Sequence, residues 1–317
     1  MRVCLMIEGQ EDVTWEQWLA LAGAAEEHGL EALFRSDHYE SVMGMRERGS
    51  LDAWTTLAAL AARTSRIRLG TLVSPATFRH PSVLAKSVAT VDRVSGGRVE
   101  LGLGAGWHEG EHRAYGFEFP PTPVRMERLA EQLELVTRSW TEDAVSFQGR
   151  HYRVQDLRAL PKPVQRPRPT LLVGGGAGPR SLALAARYAD EYNTVGVPLA
   201  ELPERRRRLQ DAWREAGRDP ETARLSVMTT TVVGRDRAEV TERVRRVLAV
   251  TGRDASVDEV VDERPNWLLG TVDEVAGRLR ELEAAGVGRV MCQHLDHADT
   301  EMVAVLGEVA ATMGATP

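Results

Sequence analysis

The stretch Thr170-Leu171-Leu172-Val173-Gly174-Gly175-Gly176-Ala177-Gly178-Pro179-Arg180-Ser181 decides the fold of this 317-residue chain. An apolar run typical of a buried strand leads into a glycine turn, and Pro179 stands where a proline opens a helix. Other runs rich in Val, Leu and Ile repeat this order, beginning near Val3, Leu30, Arg66, Arg98, Glu191, Arg224 and Val287. Most are followed by an amphipathic helical pattern. These strand-to-helix units predict an α/β fold, a (β/α)8 TIM barrel, as a single domain over residues 1–317.

Three stretches are too long for ordinary connections between strands and helices: residues 104–124, 141–169 and 232–270. They fall after the fourth strand, near the fifth and after the seventh, and such insertions usually shape the mouth of a barrel's active site. The middle stretch contains two short strand-like pieces around Gly149 and a proline-rich segment over residues 160–167. We expect an extended arm there.

The charge balance and the cysteines exclude several classes of protein. The chain has 40 basic and 46 acidic residues, a formal net charge of -6, so no global positive field would attract nucleic acid or an anionic membrane. No apolar run approaches the ~18 residues of a membrane span. The two cysteines, Cys4 and Cys292, provide neither a disulfide framework nor a metal-ligand spacing. We expect a cytoplasmic protein with a small-molecule substrate and no nucleic acid or membrane partner.

The residues that could carry chemistry follow the predicted strands, because barrel enzymes place their active sites at the carboxyl ends of the strands. After the second strand comes Arg35-Ser36-Asp37-His38-Tyr39, with a carboxylate, an imidazole and a phenol at consecutive positions. The pKa of histidine lies near neutrality, so the segment predicts a general acid or base. A loop that is merely capped by Asp37 is an equally good interpretation of the spacing.

Two glycine-rich segments follow other strands. In Gly102-Leu103-Gly104-Ala105-Gly106-Trp107 the glycines either let a ligand approach the backbone or make a tight turn, and the Gly-x-Gly-x-x-Gly pattern of dinucleotide sites fails in both frames. The segment from Gly174 to Ser181 offers backbone donors, a helix N-terminus, the Ser181 hydroxyl and the Arg180 guanidinium to one anion. This set predicts a phosphate site, with a flexible strand-to-helix turn as the alternative.

The segment His108-Glu109-Gly110-Glu111-His112 matches the His-Glu-x-x-His pattern of zinc proteases. That pattern binds zinc only on a helix, where both imidazoles lie on one face and the glutamate activates a metal-bound water. Gly110 interrupts the pattern, and charged residues surround it. A zinc hydrolase is therefore a remote alternative, and we expect no metal site.

A resemblance becomes specific once the motifs are taken together and in order. They are Ser36-Asp37-His38, Gly70–Val73, Phe78–Pro81, Leu84–Lys86, Ala89–Asp92, Ser95–Arg98, Leu101–Trp107, Tyr115-Gly116, Gly174–Gly176 and Leu269–Val275. No single motif is diagnostic, but the ordered set covers nearly all of the chain. It resembles the luciferase-like monooxygenase superfamily, whose members use a flavin or a deazaflavin. Ser36-Asp37-His38 is most similar to the branch that uses the deazaflavin coenzyme F420.

The resemblance implies where a deazaflavin would lie. Asp37 and His38 would lie beside its ring, with His38 as the proton donor, and a non-prolyl cis peptide bond between Leu72 and Val73 would lie behind it. Family members with a carboxylate directly after the glycine cluster differ from this chain, which has Trp107 there. The other cofactor-binding residues that the resemblance implies are Ser74, Gly106, Trp107, His108, Val173, Gly174, Gly175, Gly176, Arg180 and Ser181.

The implied activity is hydride transfer between F420 and a small organic substrate that has an electron-poor double bond or an alcohol or carbonyl group. His38 would donate or accept the matching proton. If His38 is only a binding residue, the acid would have to be sought at Glu8, Tyr39 or His294, which stand near other strand ends. An FMN-dependent monooxygenase with a separate reductase is the alternative within the same fold. A flavin-binding barrel without catalysis is a third. The family also implies a homodimer.

Overall fold

The computed structural model describes residues 1–257, 259–260 and 266–314. Its strands are β1 (Arg2–Ile7), β2 (Ala32–Arg35), β3 (Arg68–Thr71), β4 (Ser74–Pro75), β5 (Val99–Gly104), β6 (Val145–Gln148), β7 (Arg153–Leu157), β8 (Thr170–Gly174), β9 (Glu191–Val195), β10 (Arg224–Gly234), β11 (Leu268–Thr271) and β12 (Val287–His294). Eight of these strands pair in parallel, in the order β1, β2, β3, β5, β8, β9, β10 and β12. Strand β12 also pairs with β1, which closes a barrel. Each predicted run contributes one of these strands, so the predicted (β/α)8 fold is confirmed.

The helices are α1 (Trp15–Glu27), α2 (Ala53–Arg63), α3 (Pro81–Ser95), α4 (Glu109–Ala114), α5 (Thr122–Thr141), α6 (Pro179–Tyr188), α7 (Leu202–Glu215), α8 (Arg237–Thr251), α9 (Val272–Ala284) and α10 (Thr300–Thr312). Pro179 is the first residue of α6, as predicted. At α1 the Thr14 hydroxyl accepts from the backbone N–H of Gln17 at 3.3 Å, and the Gln17 side chain accepts from the backbone N–H of Thr14 at 2.9 Å. This reciprocal cap satisfies two helix-end donors. Among the described residues, no helix is long and apolar enough to span a membrane.

The three long stretches have different structures. Residues 104–124 contain α4, and residues 141–169 contain β6 and β7, which form an antiparallel hairpin around Gly149. Residues 232–270 contain the end of β10, all of α8 and the start of β11, so much of this stretch is regular structure; part of it lies outside the described residues. Strand β11 pairs in parallel with β10.

Apolar side chains fill two layers, because alternate residues of each strand point into and out of the barrel. The cluster inside the barrel includes Cys4, Met6, Phe34, Leu172 and Met291. A larger cluster joins the outward-facing strand residues to the helices. The larger layer is built from the amphipathic patterns that predict the helices.

At the amino ends of the strands the barrel interior is charged. The Arg289 guanidinium on β12 lies 2.8 Å from a carboxylate oxygen of Glu100 and 2.9 Å from one of Glu191, and all three side chains are almost completely buried. The same guanidinium lies over the Phe34 ring, 5.1 Å from its centre. Three strands are therefore joined across the barrel by one cation, at the end opposite to the predicted active site.

Candidate active site

A cavity of about 670 Å³ opens at the carboxyl ends of the barrel strands. It is lined by residues at or just after the ends of six barrel strands, among them Glu8, Ser36, Gly104, Gly174 and Val195. This is the end where barrel enzymes carry their active sites. The cavity is therefore the candidate active site. Of the three long stretches, 104–124 contributes to this lining, whereas no described residue of 141–169 or 232–270 does.

The floor of the cavity is formed by Leu72 and Val73, which are joined by a cis peptide bond, as the resemblance implies. The Val73 side chain packs between two glycines: a Cβ added to Gly104 would lie 2.7 Å from Cγ2 of Val73, and one added to Gly174 would lie 3.0 Å from Cγ1. A Cβ at Gly102 would collide with the carbonyl oxygen of Thr71. Gly102 and Gly104 thus let the chain segments beside them pack closely, rather than making a tight turn.

His38 lines the cavity and is paired with Glu111, a residue of α4. Nδ1 of His38 lies 2.7 Å from Oε1 of Glu111, and Oε2 of Glu111 accepts a hydrogen bond from the backbone N–H of Tyr39 at 3.1 Å. The Glu111 side chain is 1% exposed and that of His38 is 14% exposed. Because Nδ1 faces Glu111, Nε2 is the ring nitrogen left to act on a ligand in the cavity.

The charge of Glu111 changes the acidity of His38. Burial alone would lower the pKa of His38, but the hydrogen bond and charge of Glu111, with the charges of Glu8 and Asp37, outweigh burial and raise that pKa above its ordinary value. Asp37, the carboxylate next to His38 in the chain, contributes less than Glu111, whose pairing with His38 sequence reasoning missed. The sequence signal that could have identified Glu111 is its position in a segment that follows a barrel strand, because carboxylates in such segments are candidates for catalysis.

Asp37 lies beneath the cavity in an ion-pair network and does not line it. Its Oδ2 accepts from the Ser74 hydroxyl at 2.5 Å and from the Arg79 guanidinium at 2.6 Å. Arg79 also donates to Asp52 at 2.8 Å and to the Tyr39 hydroxyl at 3.0 Å. Asp37 therefore holds the segment that carries His38. This position resembles the alternative interpretation of the motif, in which Asp37 only caps a loop.

The His-Glu-x-x-His segment does not form a metal-binding pair. Helix α4 runs through Gly110, so the glycine does not interrupt the helix as expected. However, Nε2 of His112 lies 2.7 Å from the Thr77 hydroxyl, and Nδ1 lies 2.7 Å from the carbonyl oxygen of His108. Since both ring nitrogens of His112 have protein partners, this imidazole is not available as a zinc ligand.

The predicted phosphate loop leads into α6 at one side of the cavity. The Tyr192 hydroxyl accepts from the backbone N–H of Ala177 at 2.8 Å and lies 2.9 Å from the Ser181 hydroxyl, so it holds the loop from below. The Arg180 guanidinium donates to the carbonyl oxygen of Pro123 at 3.3 Å. The first N–H groups of α6 have no partner within the helix. Together these groups are suited to bind an anion.

The family model described as luciferase-like monooxygenase matches residues 3–289. The chain belongs to this family. The family that the sequence motifs predicted is therefore confirmed.

Three proteins similar to this luciferase-like chain are informative. An uncharacterized protein of Mycobacterium tuberculosis is 34% identical over 225 residues, which cover 66% of this chain and 78% of that protein. An F420-dependent glucose-6-phosphate dehydrogenase of Amycolatopsis mediterranei is 37% identical over 168 residues, which cover 52% of this chain and 47% of that enzyme. The match therefore spans about half the length of the dehydrogenase. A solved monooxygenase from Streptomyces bottropensis has a TM-score of 0.85 at 25% identity, over 99% of this chain and 100% of that chain.

The cavity brings together most of the residues predicted for this luciferase-like site, although the predicted roles remain predictions. Those that line it are His38, Leu72, Val73, Gly106, Trp107, Gly174, Gly175, Gly176, Arg180 and Ser181. Four predicted residues do not line the cavity: Asp37, Ser74, His108 and Val173. Val173 is fully buried in the packing layer outside the barrel, and His108 lies behind Trp107 with its ring centre 5.2 Å away.

The alternative acids near other strand ends also differ in position. Glu8 lines the cavity. Tyr39 lies in an aromatic cluster, where burial raises the pKa of its hydroxyl to about 12. His294 lies outside the cavity lining, and burial lowers its pKa to about 4. Of these side chains, only Glu8 is in a position to replace His38.

Proposed function

We propose that this protein is an F420-dependent oxidoreductase that transfers a hydride between the deazaflavin and a small organic substrate. The single observation that carries the proposal is the His38–Glu111 pair, which faces the cavity above the Leu72–Val73 floor. A histidine whose pKa is raised by a buried carboxylate is a suitable proton donor near neutral pH. The name of the Amycolatopsis dehydrogenase also supports F420 as the cofactor.

The residues that line the cavity fit such a cofactor. The ring would rest on Leu72 and Val73, and the phosphate would be bound by Arg180, Ser181 and the N-terminus of α6. A Cβ added to Gly176 or Gly178 would meet nothing within 4 Å, so this side of the cavity is open to a chain that continues beyond the phosphate. When bound in its reduced form, F420 supplies a hydride.

The protein's own part in the reaction would be to handle a proton. His38 would donate the proton on Nε2 to the substrate atom that becomes negatively charged as the hydride arrives. Glu111 would hold the proton on Nδ1 and keep the imidazole ring in position. In the reverse direction, neutral His38 would accept a proton at Nε2 from an alcohol.

Cofactor preference tests the proposal. F420 should bind at least about tenfold more tightly than FMN, a difference of ~1.4 kcal/mol. The physical reason is that F420 continues beyond its phosphate, where the loop at Gly176 and Gly178 is open. Fluorescence titration of the purified protein with each cofactor measures the preference. Equal affinity, or a preference for FMN, would contradict the F420 assignment.

The phosphate contact makes a second prediction. Arg180→Ala should weaken F420 binding by about tenfold or more, because losing a charge-assisted hydrogen bond costs roughly 1.5–3 kcal/mol. The matched control is Arg187→Ala, at the other end of α6, which should leave the dissociation constant unchanged. Both are measured by the same titration. An unchanged affinity in the Arg180 variant would show that the anion is held elsewhere.

The role of Glu111 makes a third prediction. Glu111→Gln keeps a hydrogen-bond acceptor but removes the charge, so the pKa of His38 should fall and the alkaline limb of kcat for substrate reduction should move to lower pH. At neutral pH kcat should decrease about tenfold or more. A pH–rate profile measures both, and Glu111→Asp should restore part of the original profile. A profile that falls in height without moving would assign Glu111 a purely structural role.

A second candidate is an FMN-dependent monooxygenase supplied by a separate reductase. The similarity to the Streptomyces bottropensis monooxygenase, which extends over the whole length of that chain, favours it. The two functions differ in their need for oxygen: the monooxygenase would consume oxygen and insert one of its atoms into the product, whereas hydride transfer from F420 would proceed in its absence. Turnover under anaerobic conditions separates them.

Two further proposals come from the family and the composition. We propose that the protein is a homodimer and that it works in the cytoplasm. Sedimentation velocity over a range of concentrations tests the first, and fractionation of the source cells tests the second.

A further inference from the structure

We infer that the substrate is an uncharged molecule with an apolar body, whose single reactive oxygen or double bond faces His38. The inference rests on the proposed function and narrows it to a substrate class. It follows from the chemistry of the cavity wall formed by lining residues other than those of the phosphate loop.

The polar groups of this wall already have protein partners. The Glu8 carboxylate accepts from Nε2 of Gln10 at 2.8 Å and from Nε2 of Gln293 at 2.6 Å. The Ser36 hydroxyl donates to the Gln10 side chain, and Nδ2 of Asn193 donates to a neighbouring serine hydroxyl at 2.9 Å. A substrate rich in hydroxyl groups would find these side-chain donors already used, and taking them over would cost existing bonds that contribute about 0.5–1.5 kcal/mol each. His38 Nε2 is the polar atom that remains suited to a substrate.

The rest of the wall is apolar and partly open to solvent. The cavity is also lined by Trp107, Val42, Val195 and Met228. Trp107 is 63% exposed and Val195 is 59% exposed, although both are large apolar side chains. The Trp107 ring lies with its centre 5.5 Å from that of His38, at a steep angle. Apolar residues exposed at the mouth of a cavity indicate a ligand surface that covers them.

The distribution of charge disfavours an anionic substrate. Apart from His38, Arg180 is the one basic side chain among the described residues that line the cavity, and the proposed function uses it for the cofactor phosphate. The carboxylates of Glu8 and Glu111 belong to the cavity lining, and both are close enough to His38 to raise its pKa. A phosphorylated sugar would place a dianion near these carboxylates, in a partly desolvated site where like charges repel strongly. We therefore expect this site not to share the substrate in the name of the Amycolatopsis relative.

Ligand binding to the F420-loaded protein tests this inference directly. Acetophenone and 4-acetylbenzoate have the same aromatic ketone and differ by one carboxylate, and glucose-6-phosphate provides the sugar phosphate. Calorimetric titration should show that acetophenone binds at least about tenfold more tightly than either anion. Preference for an anion, or binding of none of the three, would overturn the inference.

A variant pair tests the wall itself. Trp107→Ala should weaken acetophenone binding by about tenfold, and F420 affinity is measured on the same variant. Leu160→Ala, at a residue that is 61% exposed and outside the cavity lining, is the matched control and should change neither. If Trp107→Ala weakens F420 and not acetophenone, Trp107 is a cofactor residue and the inference is wrong. Failure of the wild-type protein to bind F420 would instead contradict the proposed function.

Discussion

His38→Ala should lower kcat by two or more orders of magnitude, since a positioned general acid contributes about 10²–10⁴ to the rate. The affinity for F420 should change only a few-fold, because the imidazole would act on the substrate and the phosphate would be held at the other side of the cavity. The raised pKa of His38 keeps the acid form populated near neutral pH. Single-turnover oxidation of reduced F420 by an acceptor that needs a proton measures the effect.

The control for this variant is His28→Ala. His28 is exposed at the C-terminus of α1, at the opposite end of the barrel, so its loss should not change kcat. If His38→Ala retains its kcat and loses only F420 affinity, His38 is a binding residue. The acid would then be sought first at Glu8, which also lines the cavity.

Arg289→Met should destabilise the fold by about 3–5 kcal/mol, because it removes the buried cation that Glu100 and Glu191 share and leaves them with the more exposed Arg68 and Arg2, at 2.5 Å and 3.7 Å. Arg289 is 1% exposed and contacts both carboxylates at less than 3 Å. Arg289 and Arg68 together outweigh burial and hold the pKa of Glu100 near 2, whereas burial keeps the pKa of Glu191 above its ordinary value. Urea denaturation followed by circular dichroism measures the loss.

Two variants keep this prediction testable if Arg289→Met does not fold. The exposed pair of Arg207 and Glu204 provides the control, and Arg207→Ala should change stability by less than about 1 kcal/mol. Glu100→Gln combined with Arg289→Met should recover part of the loss, because one buried charge is then removed. A combined variant no more stable than the single one would show that the ion pairs do not account for the effect.

The strand and helix order could be predicted from the sequence because each element carries its own signal. The run Thr170–Val173 predicts a buried strand by itself, and Pro179 predicts where the next helix begins. The roles of the glycines could not be predicted in this way. Whether Gly104 contacts a ligand or a neighbouring segment depends on how closely Val73 approaches it, and that distance is set by the packing of β4 and β5.

The sequence by itself determined the barrel, the end at which the cavity opens and the segments around it, because apolar periodicity and turn residues act over a few positions. Only the tertiary structure decided which charges meet. Glu111 lies 73 residues from His38 in the chain, and it reaches Nδ1 because the segments after β2 and β5 converge at one end of the barrel. Arg289 likewise meets Glu100 and Glu191 because closing the barrel brings three distant strands together. Electrostatic pairing depends on distances of a few ångströms, and these are set by the closed barrel, not by sequence spacing.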